Sequence, residues 1–225
     1  MREGESKIEE NEREISPEIV EGVENCALHT EGKVNFLLVK GGVKPAASIG
    51  LVLRNGENQF VSDDDLKSLK SLLEKSGMVY SVGDKSVSET ENGCRFEEVE
   101  IIVCQTKAEL DKILKIKSRM SISQQIEDKN YDKEKERQAQ IDFGLAMGYP
   151  LTAVQAFTAE SEFLTEDFLS EEIKQSDAYL FCQYQLSKNN WQKELQTSQQ
   201  WADFIRRTSP KIYEQYKKEQ TANII

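Results

Sequence analysis

A chain of 225 residues with 38% hydrophobic and 31% charged side chains carries enough apolar material to fold around a core without metals or disulfides. Its net charge of -11 is spread along it, with 23 Asp/Glu against 16 Lys/Arg in residues 1–118 and 17 against 13 in residues 119–225, so neither nucleic acid nor an anionic membrane is an expected partner. The longest apolar runs fall far short of the roughly 20 residues that span a bilayer, and the acidic start Met1-Arg2-Glu3-Gly4-Glu5 lacks the features of a signal peptide, which points to a cytoplasmic protein.

Residues 1–15 are mostly charged or polar with Ile8 nearly alone, and predict a disordered acidic arm. Ser16-Pro17-Glu18 then has the pattern of a helix start. Residues 33–40 and 46–54 are strand-like and flank Gly41-Gly42-Val43-Lys44-Pro45, a combination that predicts a β-hairpin with a long loop. Beyond Asn55-Gly56, Ser62 is placed to cap a helix opening on Asp63, Asp64 and Asp65, with Leu66, Leu69, Leu72 and Leu73 as its apolar stripe and Gly77 as its left-handed terminus.

A strand over residues 78–82, a polar turn region over 83–93 and the strongly alternating strand 95–105 follow. Thr106-Lys107-Ala108-Glu109 is a capping box opening a helix that buries Leu110, Ile113 and Leu114. The order β-β-α-β-β-α predicts an α+β domain over residues 16–118, a mostly antiparallel sheet with helices on one face. Composition shifts near Ser118. Residues 121–140 read as a linker or exposed helix, and helices are expected over 139–147, 151–159, 165–186 and 190–218, the last interrupted at Ser209-Pro210, giving an all-α region over 119–225.

Chemistry has few candidates. The cysteines Cys26, Cys94, Cys104 and Cys182 form no Cys-x-x-Cys pair and read as reduced thiols, with Cys104 and Cys182 as small core residues. His29 is the sole histidine, so Cys26-Ala27-Leu28-His29 has no second pair to complete a metal site, and His29 reads as a strand residue. Glu98 and Glu100 share one strand face, and together with Asp63 they form the candidate set for a metal-assisted hydrolase. Trp201, Phe204 and Ile205 with Arg206-Arg207 are candidates for a partner-facing helix.

The segment Gly144-Leu145-Ala146-Met147-Gly148-Tyr149-Pro150-Leu151-Thr152-Ala153-Val154-Gln155-Ala156-Phe157 stands apart. Gly148 is suited to end one helix with positive φ, and Pro150 disfavours helical geometry at Tyr149 while starting the next helix. Phe143, Met147, Val154 and Phe157 are expected to fill the corner. The free amides at the new helix start, with the Thr152 hydroxyl, Tyr149 and Gly148, form a candidate ligand site for a small anion.

Over residues 95–160 the chain resembles an uncharacterised prokaryotic family, of the kind grouped under domain of unknown function 483, marked by Gly-Tyr-Pro-x-Cys-Cys-Val/Ile. Gly148-Tyr149-Pro150 matches that motif, and the strand and helix over residues 101–114 match the order of elements before it. Thr152 and Ala153 stand where the motif has its two cysteines. The resemblance therefore implies a retained shape without any thiol or metal role, a non-catalytic divergent member. The combined expectation is a binding or protein-interaction module without cofactors, whose partner is a protein or a small anion; the metal-assisted hydrolase is the alternative.

Overall fold

The computed structural model describes residues 12–55, 58–89, 95–125, 133–159 and 163–224. Residues 1–11 of the expected arm, Gly56, Cys94 and residues 126–132 of the expected linker lie outside the described residues.

Two helices open the fold, α1 over Pro17–Asn25 and α2 over Thr30–Lys40. The second corrects the expected hairpin. Val34 through Val39 are buried without interruption, so the apolar run belongs to a helix surrounded by core and has no polar face to reveal its period. At its end Gly42 takes φ +78, while the Gly42 and Val43 amides donate to Val39 and Leu38 carbonyls, a left-handed cap that folds the chain back. Gly41 lies so close to Phe204 that an added Cβ would fall 2.0 Å from its ring.

The sheet comprises β1 (Ala46–Asn55), β2 (Asn58–Gln59), β3 (Val79–Val82), β4 (Ser86–Glu89) and β5 (Arg95–Cys104). All its pairings are antiparallel. β1 lies along β5 from Ala46 opposite Cys104 to Asn55 opposite Phe96, with an irregularity between Val52 and Arg54. The other edge of β5 receives β3 against its final residues and β4 against its first ones, so a strand occupies part of the expected polar turn region. Between β2 and β3 runs α3 (Asp63–Lys75), with the Ser62–Asp65 capping box at its start and Gly77 at φ +70 after its end.

Alternation then assigns the faces. Ala47, Ile49, Leu51, Val99, Ile101 and Val103 enter the main core with α2 and with Leu69 and Leu73 of α3. Ala46, Ile102 and Cys104 point the other way, where Leu110 and Ile113 of α4 (Lys107–Gln125) meet Met147 in a second cluster.

The rest of the chain is helical in the main: α5 (Lys133–Ala146), α6 (Leu151–Thr158), α9 (Trp191–Thr208) and α10 (Pro210–Ile224). In place of the single helix expected over 165–186 there is a 3-10 turn and two one-turn helices, α7 (Glu171–Lys174) and α8 (Asp177–Leu180). Ser170 and Ser176 cap these turns with their side chains and so restart the helix twice. Trp201, Phe204 and Ile205 are buried in the main core, which corrects the partner-facing reading of that helix. Ile212, Tyr213 and Tyr216 of α10 join them, so sheet and helices share one core. Ile15, within the expected arm, is buried in it too, and Arg13 donates its amide to the Gly41 carbonyl.

Candidate functional site

Gly148 ends α5 with φ +82, and the Gly148 and Tyr149 amides donate to the Leu145 and Gly144 carbonyls, the same left-handed cap found at Gly42 and Gly77. The chain turns, Pro150 takes the N-cap position, and α6 leaves at an angle. Gly144 lets the two helices touch: a Cβ there would lie 2.7 Å from a Val154 methyl. Met147 and Val154 fill the corner as expected, whereas Phe157 is 53% exposed.

Beneath this corner lies Lys44, only 1% exposed. The α2 cap turns it inward, with its amide donating to Leu38 O at 3.1 Å. Its Nζ donates to Asn35 Oδ1 at 3.0 Å and Gln183 Oε1 at 2.8 Å, and lies 5.1 Å from the Tyr149 ring centroid and 4.6 Å from that of Trp201. Tyr184 completes the aromatic wall, 5.5 Å from Tyr149 and edge-on to Trp201 at 5.7 Å. Among the described residues no carboxylate forms an ion pair with Lys44. Burial therefore lowers its ammonium to about 7, against a smaller opposing effect of the Glu31 charge.

A second buried polar group belongs to the same region. Glu194, 1% exposed on α9, accepts from Thr152 Oγ1 at 2.6 Å, Ser187 N at 2.7 Å and Ser187 Oγ at 2.6 Å. Its backbone carbonyl accepts from the Tyr184 hydroxyl, which in turn accepts from Ser198 Oγ at 2.9 Å. Burial raises the Tyr184 phenol and the Cys182 thiol, so both stay protonated at neutral pH. A polar chain thus joins the corner, α9 and residues 183–187.

Gly148, Tyr149 and Thr152 consequently have three different tasks: Gly148 makes the turn, Tyr149 roofs Lys44, and Thr152 donates to Glu194. A carboxylate occupies the place where a small anion was expected to meet the Thr152 hydroxyl. The acidic set is dispersed. Lys117 and Ser48 hydrogen-bond Glu100, Ser86 donates to Glu98 at 3.2 Å, and Asp63 lies 3.9 Å from Lys85. Burial pushes the Glu100 carboxyl up, but its hydrogen bonds and the Lys117 charge together outweigh this and hold it below the ordinary range. No three His, Cys, Asp or Glu among the described residues are grouped to hold a metal ion. His29 is exposed at the N-cap position of α2 and not on a strand, and Cys26 donates to Val23 O at 3.1 Å.

Against the corner lies a cavity of about 390 Å³ walled by Phe143, Gly144, Tyr149, Ala153, Val154 and Phe157, with Gln140, Gln183 and Gln185 as the polar residues on its border. Tyr149 and Gln183 face both this cavity and Lys44. A larger cavity of about 530 Å³ shares Tyr184 and Gln185 with it as walls but is lined by neither Tyr149 nor Gln183. Sequence reasoning had no reason to select Lys44, Gln183 or Glu194; the one signal for Lys44 is its place between Gly41-Gly42 and Pro45, flanked by apolar runs on both sides.

Compared with protein-family models, with curated proteins and with solved structures, the chain matches none. No helix among the described residues is long and apolar enough to cross a membrane.

Proposed function

We propose that the protein is a cytoplasmic, non-catalytic binding module whose ligand seat is the cavity at the Gly148-Tyr149-Pro150 corner. The observation that carries this reading is the cavity's make-up: a largely aromatic and aliphatic wall of molecular size, bordered by the three glutamines Gln140, Gln183 and Gln185. Such a lining favours a small, largely apolar ligand with a carbonyl or amide group, the apolar part against Phe143 and Phe157 and the polar part toward the glutamines. The small residues Gly144 and Ala153 leave the space, and buried Lys44 and Glu194 hold the surrounding segments in place.

Titration with benzamide, a neutral aromatic amide, tests the reading in the wild type and in Phe157→Asp. Phe157 is exposed at the cavity wall, so the variant keeps its fold while placing a charge in the seat. Saturable binding lost in the variant is the expected result; equal binding by both proteins, or none by the wild type, contradicts it.

A further inference from the structure

We infer that Lys44 is a reactive amine that captures a carbonyl-bearing ligand reversibly as an imine, through the cavity at the Gly148-Tyr149-Pro150 corner. The inference rests on the cavity being the ligand seat and names the chemistry of its polar end.

Three geometric facts support it. First, the Lys44 ammonium is buried against two amide oxygens and two aromatic rings with no carboxylate paired to it, an arrangement that stabilises the cation far less than an ion pair does. Second, one side chain separates it from the cavity, since Gln183 both accepts from Nζ at 2.8 Å and lines the cavity wall. A change of Gln183 rotamer exchanges its amide oxygen for a ligand carbonyl at the same position. Third, Tyr149 also lies against both Lys44 and the cavity, so apolar surface borders the route between them.

The balance is simple. The neutral amine attacks the carbonyl carbon, a proton moves from nitrogen to the former carbonyl oxygen to give a carbinolamine, and loss of water leaves the C=N bond. No oxidant or co-reactant enters. The lowering of Lys44 to about 7 supplies neutral amine at physiological pH, while an ordinary solvated lysine stays overwhelmingly protonated there.

Trapping the wild-type protein with limiting benzaldehyde and cyanoborohydride near neutral pH, followed by peptide mapping, tests this directly. N-benzylation is expected at Lys44 at least about tenfold faster than at any other lysine, and saturating benzamide is expected to suppress it. If benzamide binds in the seat but Lys44 shows no preference, the imine inference falls and the seat stands. If benzamide binds in the seat and Lys44 is labelled regardless of it, the route through the cavity is wrong and the imine inference falls while the seat stands. If benzamide does not bind and no lysine is preferred, both readings fall.

Discussion

Gly148 rests on Pro45: a Cβ added to the glycine would lie 2.7 Å from the proline Cδ, so the corner between α5 and α6 is seated on the residue next to Lys44. Two glycine-proline segments roughly a hundred positions apart, Gly41 to Pro45 and Gly148 to Pro150, thus build one site. Each uses a left-handed glycine to turn a side chain inward, Lys44 in the first and Tyr149 in the second.

Gly148→Ala therefore meets two penalties, the left-handed backbone and the contact with Pro45. Gly77→Ala meets only the first, because its φ is +70 but nothing lies within 4 Å of the Cβ it would gain. Denaturant unfolding is expected to show a loss of about 1–2 kcal/mol for Gly77→Ala, and a loss larger by at least about 1 kcal/mol for Gly148→Ala. Equal losses would mean that the Pro45 contact relaxes freely.

Lys44 makes stability depend on pH in a definite direction. Its folded value of about 7 lies below the ordinary 10.5, so between these the unfolded chain holds a proton that the folded chain has released. Stability then rises with pH, by up to about 1.4 kcal/mol per unit, and the rise starts near the folded value. The thiols of Cys26, Cys104 and Cys182, all raised by desolvation, act oppositely at higher pH, so the quantity to read is wild type minus Lys44→Met. That difference should be flat below pH 7 and climb above it; a flat difference throughout refutes the lowered ammonium.

Thr152 matters through Glu194. Thr152→Val removes one of three donors from a carboxylate that is 1% exposed, whereas Thr152→Ser keeps it. The valine variant is expected to lose about 1–3 kcal/mol, and the serine variant well under half of that, as measured by chemical unfolding near neutral pH.

A separate cluster ties α8 to the last two helices. Asp177 accepts from Tyr213 at 2.6 Å and Lys217 at 2.9 Å and pairs with Arg206. Burial raises its carboxyl, but these hydrogen bonds and charges outweigh burial and hold it below the ordinary range. A depressed carboxyl stabilises the fold above its unfolded value and loses that effect as pH falls through the folded one. Asp177→Asn should cost about 1 kcal/mol at neutral pH, and the gap to wild type should close in acid.

Much of the fold is legible in the sequence wherever a local signal is chemical. The capping boxes at Ser62 and Thr106, the left-handed ends at Gly77 and Gly148 and the break before Pro210 are all found where residue type predicts them. The α+β class follows from the alternation in β5. Residues 33–40 misled because a helix buried on every side loses its polar stripe and looks like a buried strand. Residues 165–186 misled because serine caps restart short helices that composition alone joins together. Lys44 and Glu194 were invisible for a different reason. Charged residues belong at the surface by default, and only the tertiary meeting of α2, α9 and the corner shows that these two are enclosed.

The most direct test of the ligand seat is chemical-shift mapping of the wild-type backbone amides during benzamide titration. Saturable shifts concentrated at Gly144, Tyr149, Ala153 and Gln183 are expected. Shifts scattered over the surface, or centred away from the corner, would contradict the assignment of the cavity as the binding site.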